Sequence, residues 1–219
     1  VNIPAGTYKF PAEVASGVTI NCAEGTVFEG VSSLNINGAT VVGANFSNPK
    51  GNAVGGTING TFKGCTFTGS NALRYCYAGE TVVFENCVFD GSVYGVHFDG
   101  GENDVTFKKC TFSGFNAFGA ALTQLTIEDC VFQANGKSGY NGANLWGTTN
   151  IIRTKFIFDG AASTEWIGLN AANSNKTITL TDCVLEGTDK SMFTYFANYK
   201  NGDKVTVDGV EYNLADETI

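Results

Sequence analysis

Val105-Thr-Phe107-Lys-Lys-Cys110-Thr-Phe112-Ser-Gly114 is the phrase on which the fold turns. It reads apolar-x-apolar-x-x-Cys-x-apolar-x-Gly. It returns as Val82-Val-Phe84-Glu-Asn-Cys87-Val-Phe89-Asp-Gly91 and as Ile178-Thr-Leu180-Thr-Asp-Cys183-Val-Leu185-Glu-Gly187. Leu125-Thr-Ile127-Glu-Asp-Cys130-Val-Phe132 departs only where Ala134 replaces the glycine, and Phe62-Lys-Gly-Cys65-Thr-Phe67-Thr-Gly69 lacks only the first apolar position. Weaker copies around Ala39, Phe156 and Val210 complete an expected inward column of Ala39, Cys65, Cys87, Cys110, Cys130, Phe156, Cys183 and Val210. Its members recur about every 20–27 residues, the mark of an array whose units bury their faces only by stacking.

Inside each unit the apolar period is two, as in a strand. Phe107 and Phe112 are an odd number of residues apart, so they share a face only if the two residues between Phe107 and Cys110 form a corner. A second short strand follows each phrase: Tyr94-Gly-Val-His-Phe98, Phe118-Gly-Ala-Ala-Leu122, Asn141-Gly-Ala-Asn-Leu145-Trp146 and Ile167-Gly-Leu-Asn-Ala171. The expected fold is all-β, a right-handed parallel β-helix (solenoid) of about seven or eight coils. One β-helix domain covers 1–219, with 1–30 as a cap-like N-terminal coil and 213–219 as a C-terminal tail. A leucine-rich repeat is the rival, because Leu125 to Phe132 fits its consensus. Leucine, however, occurs only nine times against 17 phenylalanines, and nothing after the phrase has helical periodicity.

The remaining composition narrows the function. Net charge is −8 with 13 basic residues scattered along the chain, so no basic stripe exists for nucleic acid. No apolar run approaches the roughly 18 residues a membrane helix needs. The chain begins at Val1 without a signal-like segment, which suggests a processed or excised piece of a longer polypeptide. Seven cysteines cannot all pair within one chain. Five stand in the inward column, so they read as small apolar core residues stacked as free thiols, with Cys22 and Cys76 outside it.

The Ile3-Pro-Ala-Gly-Thr-Tyr8 opening, Gly17-Val-Thr-Ile20 with Gly25-Thr-Val-Phe28, and the repeated Asn/Asp-Cys-x-Phe corner resemble the pectate-lyase-like superfamily of right-handed β-helices. The likeness covers nearly the whole chain and is specific for architecture rather than activity. It implies a polysaccharide lyase, a glycoside hydrolase, a bacterial surface protein or a phage fibre module. The Asn141 to Gly147 style of coil is closest to the surface and fibre members.

Chemistry is sparse. Hydrolysis at a glycosidic bond needs paired carboxylates, and the only histidine, His97, faces outward with Asp99 and no second acid beside them. The lyases of the superfamily use calcium and a basic residue, but Arg74 and Arg153 lie far apart. Asp99, Glu102 and Asp104 lie in the densest acidic turn, a weak candidate for calcium through oxygen ligands; it reads first as an ordinary Gly/Asn/Asp turn between strands. No cofactor is expected and no catalytic residue is assigned. The strongest signal is aromatic: Trp146, Trp166, Tyr94 and Tyr140 beside the amides of Asn144 and Asn170 suit a sugar's apolar face and hydroxyl rim. The tryptophans read alternatively as covers of the core edge. The expectation is a non-catalytic structural or adhesive β-helix module of a phage fibre or bacterial surface protein, outside the cell, with a glycan as candidate ligand at those residues and His97 and Asp99. Further copies of the chain or flanking domains are the other candidate partners. The alternative is a lyase or hydrolase of the pectate-lyase-like fold.

Overall fold

The computed structural model describes residues 1–100, 104–114, 119–120, 124–134, 143–145, 148–158, 167–169, 177–186, 196–197 and 204–212. Every secondary-structure element among them is a strand, and nearly all neighbouring strands run parallel. Among the described residues no helix is long and apolar enough to cross a membrane. The leucine-rich reading, which needs helix or 3₁₀ turns between strands, finds no such element among the described residues.

Two faces of the coil meet at a corner, and each is held in register from turn to turn. On the first face one inward column runs Ile20, Val41, Phe62, Phe84, Phe107, Ile127, Ile151, Leu180 and Val207. On the second face a column runs Tyr8, Phe28, Phe46, Phe67, Phe89, Phe112, Phe132, Phe156 and Leu185. Rings stack along each column: Phe67 on Phe89 at 4.9 Å and 6°, Phe132 on Phe156 at 5.0 Å and 10°, Phe84 on Phe107 at 4.8 Å and 13°. These distances are those of adjacent strands, so the strand ladder itself imposes the stacking. Across the corner the columns meet edge to face, as Phe84 and Phe89 do at 5.1 Å and 85°.

One residue makes the corner. Gly43, Gly64, Asn86, Lys109, Asp129, Arg153 and Asp182 have φ between 45° and 74°, in the left-handed region. Lys108 still belongs to the strand Val105–Lys108, so Lys109 alone turns the chain rather than the pair Lys108 and Lys109. Each corner N–H donates to the next turn: Asn86 N to the Lys108 carbonyl at 2.9 Å, and Lys109 N to that of Glu128 at 2.9 Å. The left-handed twist thus leaves no backbone donor stranded.

Immediately after the corner sits the cysteine column, and its membership differs from the expected one at four turns, Thr26 being an addition at the first. The order is Thr26, Ala44, Cys65, Cys87, Cys110, Cys130, Thr154 and Cys183, judged by distance from the following Phe28, Phe46, Phe67, Phe89, Phe112, Phe132, Phe156 and Leu185. Ala44 replaces Ala39, Thr154 replaces Phe156, and Val210 is exposed on an antiparallel hairpin strand that pairs Val210 with Val207. None of the seven cysteines forms a disulfide, and Cys65, Cys76, Cys87, Cys110 and Cys130 are buried. Each column thiol donates to nearby carbonyls, as Cys87 Sγ does to Phe62 O at 3.4 Å and Glu85 O at 3.5 Å. Burial pushes the Cys110 and Cys183 thiols up from their ordinary pKa.

The outward side of the first face is equally regular. One column runs Thr19, Thr40, Thr61, Val83, Thr106, Thr126, Asn150, Thr179 and Thr206. Beside it Lys63, Glu85, Lys108 and Glu128 stand one per turn in alternating sign. Lys63 pairs with Glu85 at 3.0 Å and Lys108 with Glu128 at 3.4 Å.

Candidate functional site

The strands carrying the expected site build a third face. Phe98–Gly100 follows the second face, and Gly119–Ala120, Ala143–Leu145, Ile167–Leu169 and Phe196–Ala197 form a separate parallel sheet. Alternation holds where it is described: Val96 and Phe98 are buried, and His97 between them is half-buried. The His97 carbonyl accepts from Cys76 N at 3.1 Å, fixing its strand to the previous turn.

Tyr94 ends the strand Val88–Tyr94 and pairs with Asn71. Asp99 lies within Phe98–Gly100. Asp104 is exposed, and its carbonyl accepts from Val82 N at 3.1 Å. Asn144 lies in Ala143–Leu145, in register with Gly119 on one neighbouring strand and Gly168 on the other. Its position is therefore flanked by residues without side chains, rather than by a matching amide. Trp146, Trp166, Tyr140, Asn170 and Glu102 lie outside the described residues. Among the described residues no cluster of three or more His, Cys, Asp or Glu side chains is placed to hold a metal.

Three carboxylates of the first face and its corner, Glu85, Glu128 and Asp129, are engaged. Arg153 Nε donates to Asp129 Oδ1 at 2.7 Å, and its terminal nitrogen also bonds Glu128. The guanidinium holds Asp129 below the usual carboxylate range, and the hydrogen bond and charge of Lys63 hold Glu85 there too. A general acid needs the opposite displacement, upward toward neutral pH.

A polar groove not singled out by the sequence borders the second face. One cavity of about 350 Å³ is lined by Glu29, Ser47, Asn48 and Lys50, and a second of about 270 Å³ by Ser47, Thr68, Asp90 and Ser92, with Pro49 shared. The signal for it was present, because the residue after each inward phenylalanine there is Glu29, Ser47, Thr68 or Asp90, all outward and in register. At the first turn an apolar hollow of about 350 Å³ opens between Ile3, Tyr8, Val14, Val18, Ile20 and Phe28.

A family model described as "Right handed beta helix region" matches residues 52–211. No curated protein matches the chain. Among solved structures, trypsin-treated QnrB1, a plasmid-mediated fluoroquinolone resistance protein, is similar at 14% identity and a TM-score of 0.38, covering 93% of this chain and 89% of that one.

Proposed function

The chain belongs to the right-handed β-helix region family, and from that premise we propose a non-catalytic structural and adhesive module of a phage fibre or bacterial surface protein. It works outside the cell and presents a glycan-binding strip on its third face. The observation that carries this reading is the in-register ring stacking along the second-face column from Phe28 to Phe156. A stack in which each turn hydrogen-bonds and ring-stacks on the next is a stiff rod. Stiffness is what a spacer needs, and it pre-positions side chains on adjacent turns so that a glycan binds at little ordering cost.

The ion-paired carboxylates support the non-catalytic part, since Glu85 and Asp129 are held ionised rather than poised to donate a proton. Trp146 and Trp166, with Asn144 and Asn170, supply the stacking surface and amides for the sugar; Tyr94, Tyr140, His97 and Asp99 extend the strip.

Glycan-array binding by the wild type, lost in Trp146→Ala and in Trp166→Ala with unchanged melting temperature, is the expected result. A blank array, or variants that no longer fold, would make the tryptophans structural and the module a spacer. The wild type should release neither reducing nor unsaturated ends from polyuronides. Turnover abolished by His97→Ala or Asp99→Asn would place the protein among the enzymes.

A further inference from the structure

The outward column from Thr19 to Thr206 is uniform, broken only by Val83 and Asn150, whereas the outward columns beside it mix charge, size and polarity. Beyond the exposed Thr19, every member is half-buried between the residues above and below it. No threonine hydroxyl of the column hydrogen-bonds to another described residue. The column is therefore not a hydroxyl ladder that satisfies itself, and its polar atoms face outward.

A β-branched side chain has little χ1 freedom, and packing by its neighbours removes more. Methyl and hydroxyl are thus held in a repeating order along the column, at the strand spacing of about 4.8 Å. A matching ligand must repeat at nearly that distance, carry no charge and offer both hydrogen bonds and shallow hollows for methyl groups. The adjacent lysines and glutamates pair with one another, so the flank carries balanced charge. The column has neither the aromatic platform nor the varied amides that single out a sugar. Water ordered in hexagonal ice meets every requirement, with oxygens repeating along its a axis at about 4.5 Å against a strand spacing of about 4.8 Å.

We propose that this threonine column is an ice-binding face, its hydroxyls joining the lattice and its methyls seating between lattice oxygens. The inference goes beyond the glycan reading and uses a different face, so failure at Trp146 and Trp166 leaves it standing.

Thermal hysteresis and ice recrystallisation should be measured on the whole protein, with folding followed by circular dichroism. The wild type should shape ice and slow recrystallisation, and Thr106→Lys with Thr126→Lys should fall to the buffer baseline. Thr111→Lys, on the second face, should keep the wild-type effect. If the double lysine variant does not fold, Thr106→Ser with Thr126→Ser removes only two methyls and should weaken the effect several-fold. A wild type indistinguishable from buffer, or equal loss in Thr111→Lys, overturns the proposal. So would glycan-array binding that disappears with Thr106 and Thr126 in a protein without effect on ice, which would assign the face to a sugar.

Discussion

At the scale of the residue, the corner position sets the sharpest test. Lys109 holds φ at 54° with an exposed side chain, a conformation that glycine adopts without steric cost. Lys109→Gly should therefore be neutral to stabilising, by up to about 1 kcal/mol in urea denaturation, whereas glycine at the extended Thr111 should destabilise. Phe112, buried with rings above, below and across the corner, should cost about 3–5 kcal/mol as Phe112→Ala. The thiols add a pH dependence. Folding raises the Cys110 and Cys183 pKa above the ordinary 9.0. Unfolded thiols lose their protons first as pH rises, so the stability they give below that value declines above it. Midpoints measured between pH 7 and 10.5 should fall at the alkaline end, less steeply in Cys110→Ala compared with its own neutral value. In the native protein the buried thiols should resist alkylation, and after denaturation all seven should titrate.

At the scale of the element, the same phrase explains both what could be read from the chain and what could not. Cys65, Cys87, Cys110, Cys130 and Cys183 were legible as one column because the residue type repeats. Where the type changed, an apolar search slid out of phase. Thr154 is the instructive case: its hydroxyl donates to Ile152 O at 3.1 Å and accepts from Cys130 N at 3.3 Å. It performs the thiol's hydrogen bonding, yet looks like a surface residue in a hydropathy pattern. Val210 was misplaced because a reversal at Asp208 and Gly209 preserves the alternation while inverting the strand. Positive φ at Lys109 and Arg153 left no trace in the sequence, since neither type favours it. The third face was legible as strands at Ala143–Leu145 and Ile167–Leu169, but the direction of its side chains was not, because composition does not carry it.

Gly60 shows how an absent side chain is itself dictated by packing. It stands where the other copies have Val82, Val105 or Leu125. A Cβ there would lie 2.6 Å from Ile36 Cγ1 and 2.7 Å from Ala39 O, with φ at 92°. Ile36 fills the volume that the missing side chain would take. Gly60→Ala should therefore destabilise by about 2–4 kcal/mol through overpacking and strain together. Gly64→Ala, with φ at 57° and nothing within 4 Å, carries strain alone and should cost about 1 kcal/mol. Equal effects at the two positions would remove the packing explanation.

At the scale of the whole molecule, each turn contacts chiefly the turns beside it, so stability is a sum of neighbour terms and the ends open before the middle. Hydrogen exchange should accordingly be slowest in peptides covering 82–91 and 105–112 and fastest in those covering 1–8. Uniform exchange along the chain would instead indicate a single all-or-none unit. Circular dichroism should show β structure with almost no helix. Nearest-neighbour stacking also carries a hazard, because coils this alike could settle one storey out of place during folding. The row Lys63, Glu85, Lys108, Glu128 guards against that fault. Omitting the Glu85 storey sets lysine over lysine, and omitting the Lys108 storey sets glutamate over glutamate, so alternating sign works as a parity check on the count of turns while the rod assembles.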